Sequence, residues 1–270
     1  MNRVSSVGLA VACNKAGIVP SLVVNYEIEE QLKEFRNFCP DGDIILASDL
    51  MLAISLIGMN RMMNILIDYK VSHIQLLKML KNTEYSILQK LKDNEIKIIY
   101  KSQCPVDLPS DMTFIDAIDL KSPDAASRVV IDGQTTMERF LEQKRKIPNT
   151  PIIVTGGIST SAQIKMYLWA KAEAIGLGTM FALSKESAIH PDKKLEMIKK
   201  SFSDVVQRGL NNMNAIVFSE TPDTDGNNTT GLILGRDTKD RGLIFAGKAL
   251  DNITEIESVQ TIVDRLTKEL

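Results

Sequence analysis

Cysteine is scarce. Cys13, Cys39 and Cys104 are scattered through 270 residues with no C-x-x-C pair, which argues against a disulfide framework or a zinc site and for reduced thiols in the cytoplasm. Histidine is scarcer still: His73 and His190 are the only imidazoles the chain can offer as a general base near neutral pH. No apolar run reaches the ~18–20 residues of a membrane span. Ser, Asn and Lys interrupt the opening MNRVSSVGLAVACNKAGI, and no small-residue cleavage site follows it, so a secretory signal is not expected. Neither charge sign dominates, since the net charge is -2, and there is no P-loop, metal cluster or nucleic-acid motif. A polyanion, a membrane and a metal ion are therefore not expected as partners.

What the chain does have is alternation. Ser21-Leu22-Val23-Val24, Asp43 to Ala47, His73 to Leu77, Lys97 to Tyr100, Thr113 to Ile118, PIIVTG and AIGLGT are short apolar runs separated mostly by helical patterns. Such alternation predicts βαβ units and a parallel sheet. Mostly apolar runs fit strands covered on both faces. Only KSQCPVDLPSDM, between Tyr100 and Thr113, lacks a helical pattern. Seven candidate strands are one short of a closed (β/α)8 barrel, read here as a single α/β domain over 1–270. A short insert covers 183–235 and a C-terminal segment 236–270. Within the insert, Leu195 to Leu210 reads as one helix, and Ser219 to Gly231 as a polar loop.

Two consecutive strands end in glycine. PIIVTGG closes on Gly156-Gly157, and AIGLGT on Gly176-Leu177-Gly178-Thr179. In parallel α/β folds ligands sit at the carboxyl ends of the strands. Glycine there lets backbone N–H groups approach an anion, with the next helix N-terminus aimed at the same place. Ser159, Thr160 and Ser161 are N-cap candidates for that helix, and Ile164, Tyr167 and Leu168 are its expected buried stripe. The spacing favours one phosphate held between the two turns; tight turns without a ligand are the alternative.

PIIVTGGISTSAQIKMYLWAKAEAIGLGTMFALSKESAIHPDKK resembles the last two strands of the nitronate monooxygenases and the related flavin-dependent enoyl-ACP reductases. Their pattern runs P-V-I-A-A-G-G-I, a helix, G-T-R-F and an E-S…H-P-x-Y-K tail. The likeness extends to Met1 through Gly17, to Ala47-Ser48-Asp49-Leu50-Met51, to Gly242 through Lys248, and to a terminal helix over Val259 to Leu266. It implies an FMN-binding TIM (β/α)8-type barrel, a small-molecule substrate and oxidoreductase chemistry. Gly156, Gly157, Gly178 and Thr179 would hold the FMN phosphate. Asp49 stands where the family has a flavin-contacting Asn, and a carboxylate can accept from a ring N–H but cannot donate; a helix N-cap is its other reading.

The departures cut the other way. The family's catalytic Glu-Ala-Gly-Gly-His corresponds to the region Asp119 to Arg128. Laying Ala125-Ala126 over the glycine pair puts Ser127 at the histidine, a weak candidate for a catalytic role. Asp119, Lys121, Asp124 and Arg128 add charge there, read as solvated loop groups. His190 matches the structural His-Pro of the tail, and His73 reads as a partly buried polar group. Met1 aligns with the end of the family's first strand, so a barrel lacking or truncated at that strand is expected. Its open edges would be covered by a second copy or a partner chain. Lys248 replaces a family Gln. Met51, Met59, Met62 and Met63 read as adaptable core packing. Two readings result: an FMN oxidoreductase with an altered acid–base group, or a degenerate barrel serving as a binding or interaction subunit. A third is another phosphate-binding barrel, of the IMP dehydrogenase or glutamate synthase type, whose paired glycine strands look similar.

Overall fold

The computed structural model describes residues 5–48, 54, 57–77, 85–102, 108, 111–128, 133–208, 213–217, 243–268 and 270. Strands β1 (Ser21–Val23), β2 (Ile45–Ser48), β3 (His73–Leu76), β4 (Lys97–Ser102), β5 (Ala117–Lys121), β7 (Ile152–Thr155) and β8 (Ala174–Gly176) form one sheet in the order β1-β2-β3-β4-β5-β7-β8. Every neighbouring pair runs parallel. The sheet is thus a barrel short of one strand: among the described residues β1 and β8 are its two edges.

The outward-facing positions recur every second residue, as a pleated strand requires. Leu22, Leu46, Ile74, Ile98 and Ile118 pack against Ile28, Leu32 and Phe35 of helix α2 (Ile28–Phe38), Met62 and Leu66 of α3 (Met59–Asp68), and Leu88 and Leu91 of α4 (Tyr85–Asp93). The buried Met62 and Met63 are core packing, as expected of that stretch; Met51 lies outside the described residues. Leu120, Ile152 and Val154 pack in a second cluster with Phe140 of α5 (Thr136–Lys146) and with Ile164 and Tyr167 of α6 (Ser161–Trp169). Leu168 of the expected stripe is instead exposed. Fully burying such aliphatic side chains stabilises by about 1.5–3 kcal/mol each.

Helix α1 (Val7–Lys15) joins the two clusters. Ser6 caps it, accepting from Leu9 N at 3.2 Å. Val7 and Ala10 enter the first cluster, Leu9 and Cys13 the second. α1 packs against α2 on one side and α9 (Val259–Thr267) on the other, and α9 packs on α6. The helical layer therefore runs continuously past the gap in the sheet. Burial in this seam pushes the Cys13 thiol up to about 12, with Glu186 adding to the shift, and a thiol that stays protonated is a poor nucleophile. With Cys39 and Cys104 changed to serine, the remaining thiol should resist a disulfide reagent at pH 8 and react fully in denaturant. Prompt reaction of the native protein would show that α1 does not seal this seam.

The expected helix over Leu195 to Leu210 is not there. Helix α8 (Pro191–Met197) is followed by a 3₁₀ turn, Phe202–Asp204, and strand β9 (Val206–Arg208). β9 pairs antiparallel with β10 (Met213–Val217), which also pairs with β6 (Ser127–Arg128) and β11 (Leu243–Phe245). The helix ends at Met197; Ser201 and Asp204 then close a capping box on the 3₁₀ turn, and the pair Val205-Val206 favours extended backbone. α7 (Thr179–Ala182) is a single turn after β8.

Candidate functional site

The two glycine turns lie side by side. β7 and β8 are parallel neighbours with Thr155 opposite Gly176, so Gly156-Gly157 and Gly178-Thr179 leave the carboxyl ends of adjacent strands. Thr160 is the cap of α6, in a capping box with Gln163. The Gln163 carboxamide oxygen accepts from Ser159 N (2.9 Å) and Thr160 N (3.1 Å), which fixes the turn after β7.

The glycines are there for different reasons. Gly156 (φ +114°) and Gly157 (φ +70°) lie in the left-handed region that L side chains rarely adopt. They are also crowded: a Cβ on Gly156 would stand 2.5 Å from Ser122 Oγ and 2.6 Å from Ala125 Cβ, and one on Gly157 2.6 Å from Asp124 Cβ. The loop after β5 thus packs directly on this turn, tied by Ser122 N to Thr155 O at 2.9 Å. Gly178 is unlike them. Its φ is -119°, open to any residue, and among the described residues nothing stands within 4 Å of where its Cβ would be. Neither backbone strain nor packing explains it. Thr179 beside it is buried, and its Oγ1 accepts from Gly247 N at 3.2 Å. Gly247 in turn is pressed onto Asp124 O, which a Cβ on this glycine would meet at 2.5 Å, and Lys248 N donates to that carbonyl at 2.8 Å. Three loops and the segment around Gly247 therefore meet at this end of the barrel.

Beneath them the lumen is polar, where barrels usually carry branched aliphatics. Asp119 is nearly fully buried on β5. Its Oδ2 accepts from Lys101 Nζ of β4 (2.6 Å) and Gln75 Nε2 of β3 (2.6 Å), and its Oδ1 from Thr155 Oγ1 of β7 (2.5 Å). The lack of a side chain at Gly176 makes room for this, since a Cβ there would meet Thr155 Oγ1. Asp119 is therefore not the solvated loop acid that the sequence suggests. The apolar run ends at Ile118, whereas the strand continues to Lys121, so Asp119 and Lys121 share the lumen face with Lys101 and Thr155. Sequence reasoning misses Gln75, Lys101 and Thr155. A lysine at the end of an apolar strand, opposite an aspartate in the next strand, is the available signal.

Asp124 and Asp119 divide the charge at this end. Asp124 is partly exposed on the loop after β5, where Oδ2 accepts from Thr136 Oγ1 at 2.8 Å and Oδ1 lies 3.9 Å from Lys248 Nζ. Ser127 belongs to β6 and pairs with Asn214 of β10. Asp49 lies outside the described residues. Neither histidine reaches the site. His73 opens β3 at the opposite, amino end of the strands, where its Nδ1 lies 2.9 Å from Ser72 Oγ and burial pushes its pKa down. His190 caps α8, its Nδ1 accepting from Asp192 N at 3.2 Å. Lys194 of the same tail is buried, its Nζ donating to Ser184 O (2.5 Å) and Ser187 O (3.0 Å), so the tail is a structural brace.

The turns fit a phosphate on one observation of their own: Gly178, next in the chain to Thr179, has no described atom within 4 Å of where a Cβ would stand. Ser122 Oγ, fully buried against Gly156 with no hydrogen-bond partner, is a further polar atom at this end that the fold itself does not satisfy. Among the described residues no group of carboxylates, thiols and imidazoles could hold a metal ion, and no helix is long and apolar enough to cross a membrane.

No protein-family model matches the sequence, and no curated protein does. Solved structures do match. The chain is similar to FabK from Thermotoga maritima, with a TM-score of 0.81 and 20% identity over 100% of this chain and 90% of that one. Its M276A mutant gives 0.82 and 22%, over 100% and 89%. Nitroalkane oxidase from Streptomyces ansochromogenes matches with a TM-score of 0.78 and 16% identity, over 99% and 92%. These likenesses show the fold, that of the FabK and nitroalkane oxidase barrels, in agreement with the resemblance seen at the glycine turns.

Proposed function

We propose that the chain is an FMN-dependent oxidoreductase of the nitronate monooxygenase or flavin-dependent enoyl reductase kind, working in the cytoplasm on a small molecule. It is one barrel unit over 1–270, with 183–235 as its insert. The observation that carries the reading is Gly178, at the carboxyl end of β8: a glycine that, among the described residues, neither strain nor packing requires. A close-approaching ligand is the physical reason left for it.

In this reading the Gly156-Gly157 and Gly178-Thr179 turns hold the phosphate through backbone N–H groups and the Thr179 hydroxyl, and Asp49 is the residue proposed to contact the flavin. Bound FMN would supply the electron and hydride chemistry. The protein's own part is orientation and charge. Lys101, fixed by Asp119 and partly open to the lumen, places an ammonium below the mouth of the barrel. Asp119 is committed to three donors and is not the base. No imidazole stands at the mouth, so Asp124 on the loop after β5 and Ser127 at the start of β6 are the candidate groups left, and Ser127→Ala should lower turnover without weakening flavin binding if Ser127 takes part.

The second reading, a degenerate barrel acting as a binding or interaction subunit, is favoured by the absent imidazole and by the open edges of β1 and β8. Those edges make association with a second copy or a partner chain part of either reading, checked by light scattering. Colour separates the two readings. The protein purified without added cofactor, or mixed with FMN and desalted, should be yellow with flavin absorbance bands. A colourless protein after both treatments would remove the oxidoreductase reading.

A further inference from the structure

Lys248 is held in place by its backbone and left loose at its tip. Its N–H donates to Asp124 O at 2.8 Å, and the residue before it, Gly247, donates to the buried Thr179 Oγ1. A side chain on Gly247 would collide with the Asp124 carbonyl, so this turn lies directly on the loop after β5. The Lys248 side chain is 57% exposed, and its Nζ approaches Asp124 Oδ1 no closer than 3.9 Å. A pair that open and that long contributes little to stability. Lys248 leaves the backbone one residue from the Thr179 contact, so its side chain starts next to the turn that Gly178 opens.

We propose that Lys248 is the charge partner of the ligand's phosphate at the Gly178-Thr179 turn, exchanging its loose pairing with Asp124 for the incoming anion. An ammonium has three donors and no acceptor, and its hydrogen bonds to a phosphate are charge-assisted. Asp124 opposes the anion, because its carboxylate lies against Gly157, on the turn next to the phosphate seat. The balance between the two sets the affinity for a phosphate monoester over its dephosphorylated analogue. The inference rests on the flavin reading for the identity of the ligand, but not for the anion, which any phosphate monoester supplies.

The test compares FMN with riboflavin by quenching of flavin fluorescence, and inorganic phosphate by thermal shift. Lys248→Met should weaken FMN roughly tenfold and leave riboflavin unchanged. Asp124→Asn keeps an acceptor for Thr136 and should tighten FMN severalfold. Equal losses for FMN and riboflavin in Lys248→Met, unchanged FMN affinity in that variant, or weaker FMN binding in Asp124→Asn would each overturn the proposal. Should the unmodified protein bind neither flavin, a rise in melting temperature with inorganic phosphate that is lost in Lys248→Met would sustain the anion site while the flavin reading falls. No such rise would end both.

Discussion

Lys101→Met should lower the stability of the protein by about 3 kcal/mol, the lower end of the range for stripping one partner from a buried ion pair. The carboxylate left behind, Asp119, is 3% exposed and cannot turn to water. Gln75 and Thr155 still donate to it, which keeps the loss from being larger. For a chain of this size that is a fall of roughly 6–12 °C in melting temperature. Adding Asp119→Asn removes the stranded charge and should recover most of the loss, because a neutral amide among polar neighbours needs no counter-ion. If the single variant melts within a degree or two of the unmodified protein, Asp119 is hydrated in solution and the lumen is wet.

The seven strands are legible as short, mostly apolar runs, and their helices by apolar residues at every third or fourth position. Leu22, Leu46, Ile74, Ile98 and Ile118 mark the first pattern; Ile28, Leu32 and Phe35 the second. The gap in the barrel is legible from the count of strands. What cannot be read is anything that depends on partners distant in the chain. Asp119 looks like a loop acid until β4 is laid beside β5 and Lys101 meets it. The stretch after Leu195 has helical apolar spacing, and the local signals that end it, the capping box at Ser201 and the Val205-Val206 pair, are recognised only once β9 is seen beside β10. At the glycine turns the sequence shows that glycine is needed but not why. Gly156 and Gly157 are explained by positive φ and by the loop after β5, Gly176 by the Thr155–Asp119 contact, and only Gly178 is left to a ligand.

That division yields the second large effect. Gly156→Val forces a β-branched residue into the left-handed region and drives its side chain into Ser122 and Ala125, backbone Cα included at 2.9 Å. Strain of about 1–3 kcal/mol and overpacking of about 1–3 kcal/mol act together, so the variant should melt far below the unmodified protein or fail to fold. Gly178→Val meets no neighbour among the described residues and adopts an ordinary φ, so it should melt within about 2 °C of the unmodified protein, as surface substitutions away from such features do. Its methyl groups, however, would occupy the space left for the phosphate.

The central claim, that the Gly178 turn seats the phosphate of a flavin, is tested most directly by titrating FMN against the unmodified protein and Gly178→Val by flavin fluorescence, with the melting temperature of each recorded. The expected result is binding at about micromolar concentration by the unmodified protein, and a loss of roughly a hundredfold or more in the variant at unchanged melting temperature. Equal affinity in the two proteins, or no binding by the unmodified protein at high micromolar FMN, would contradict it.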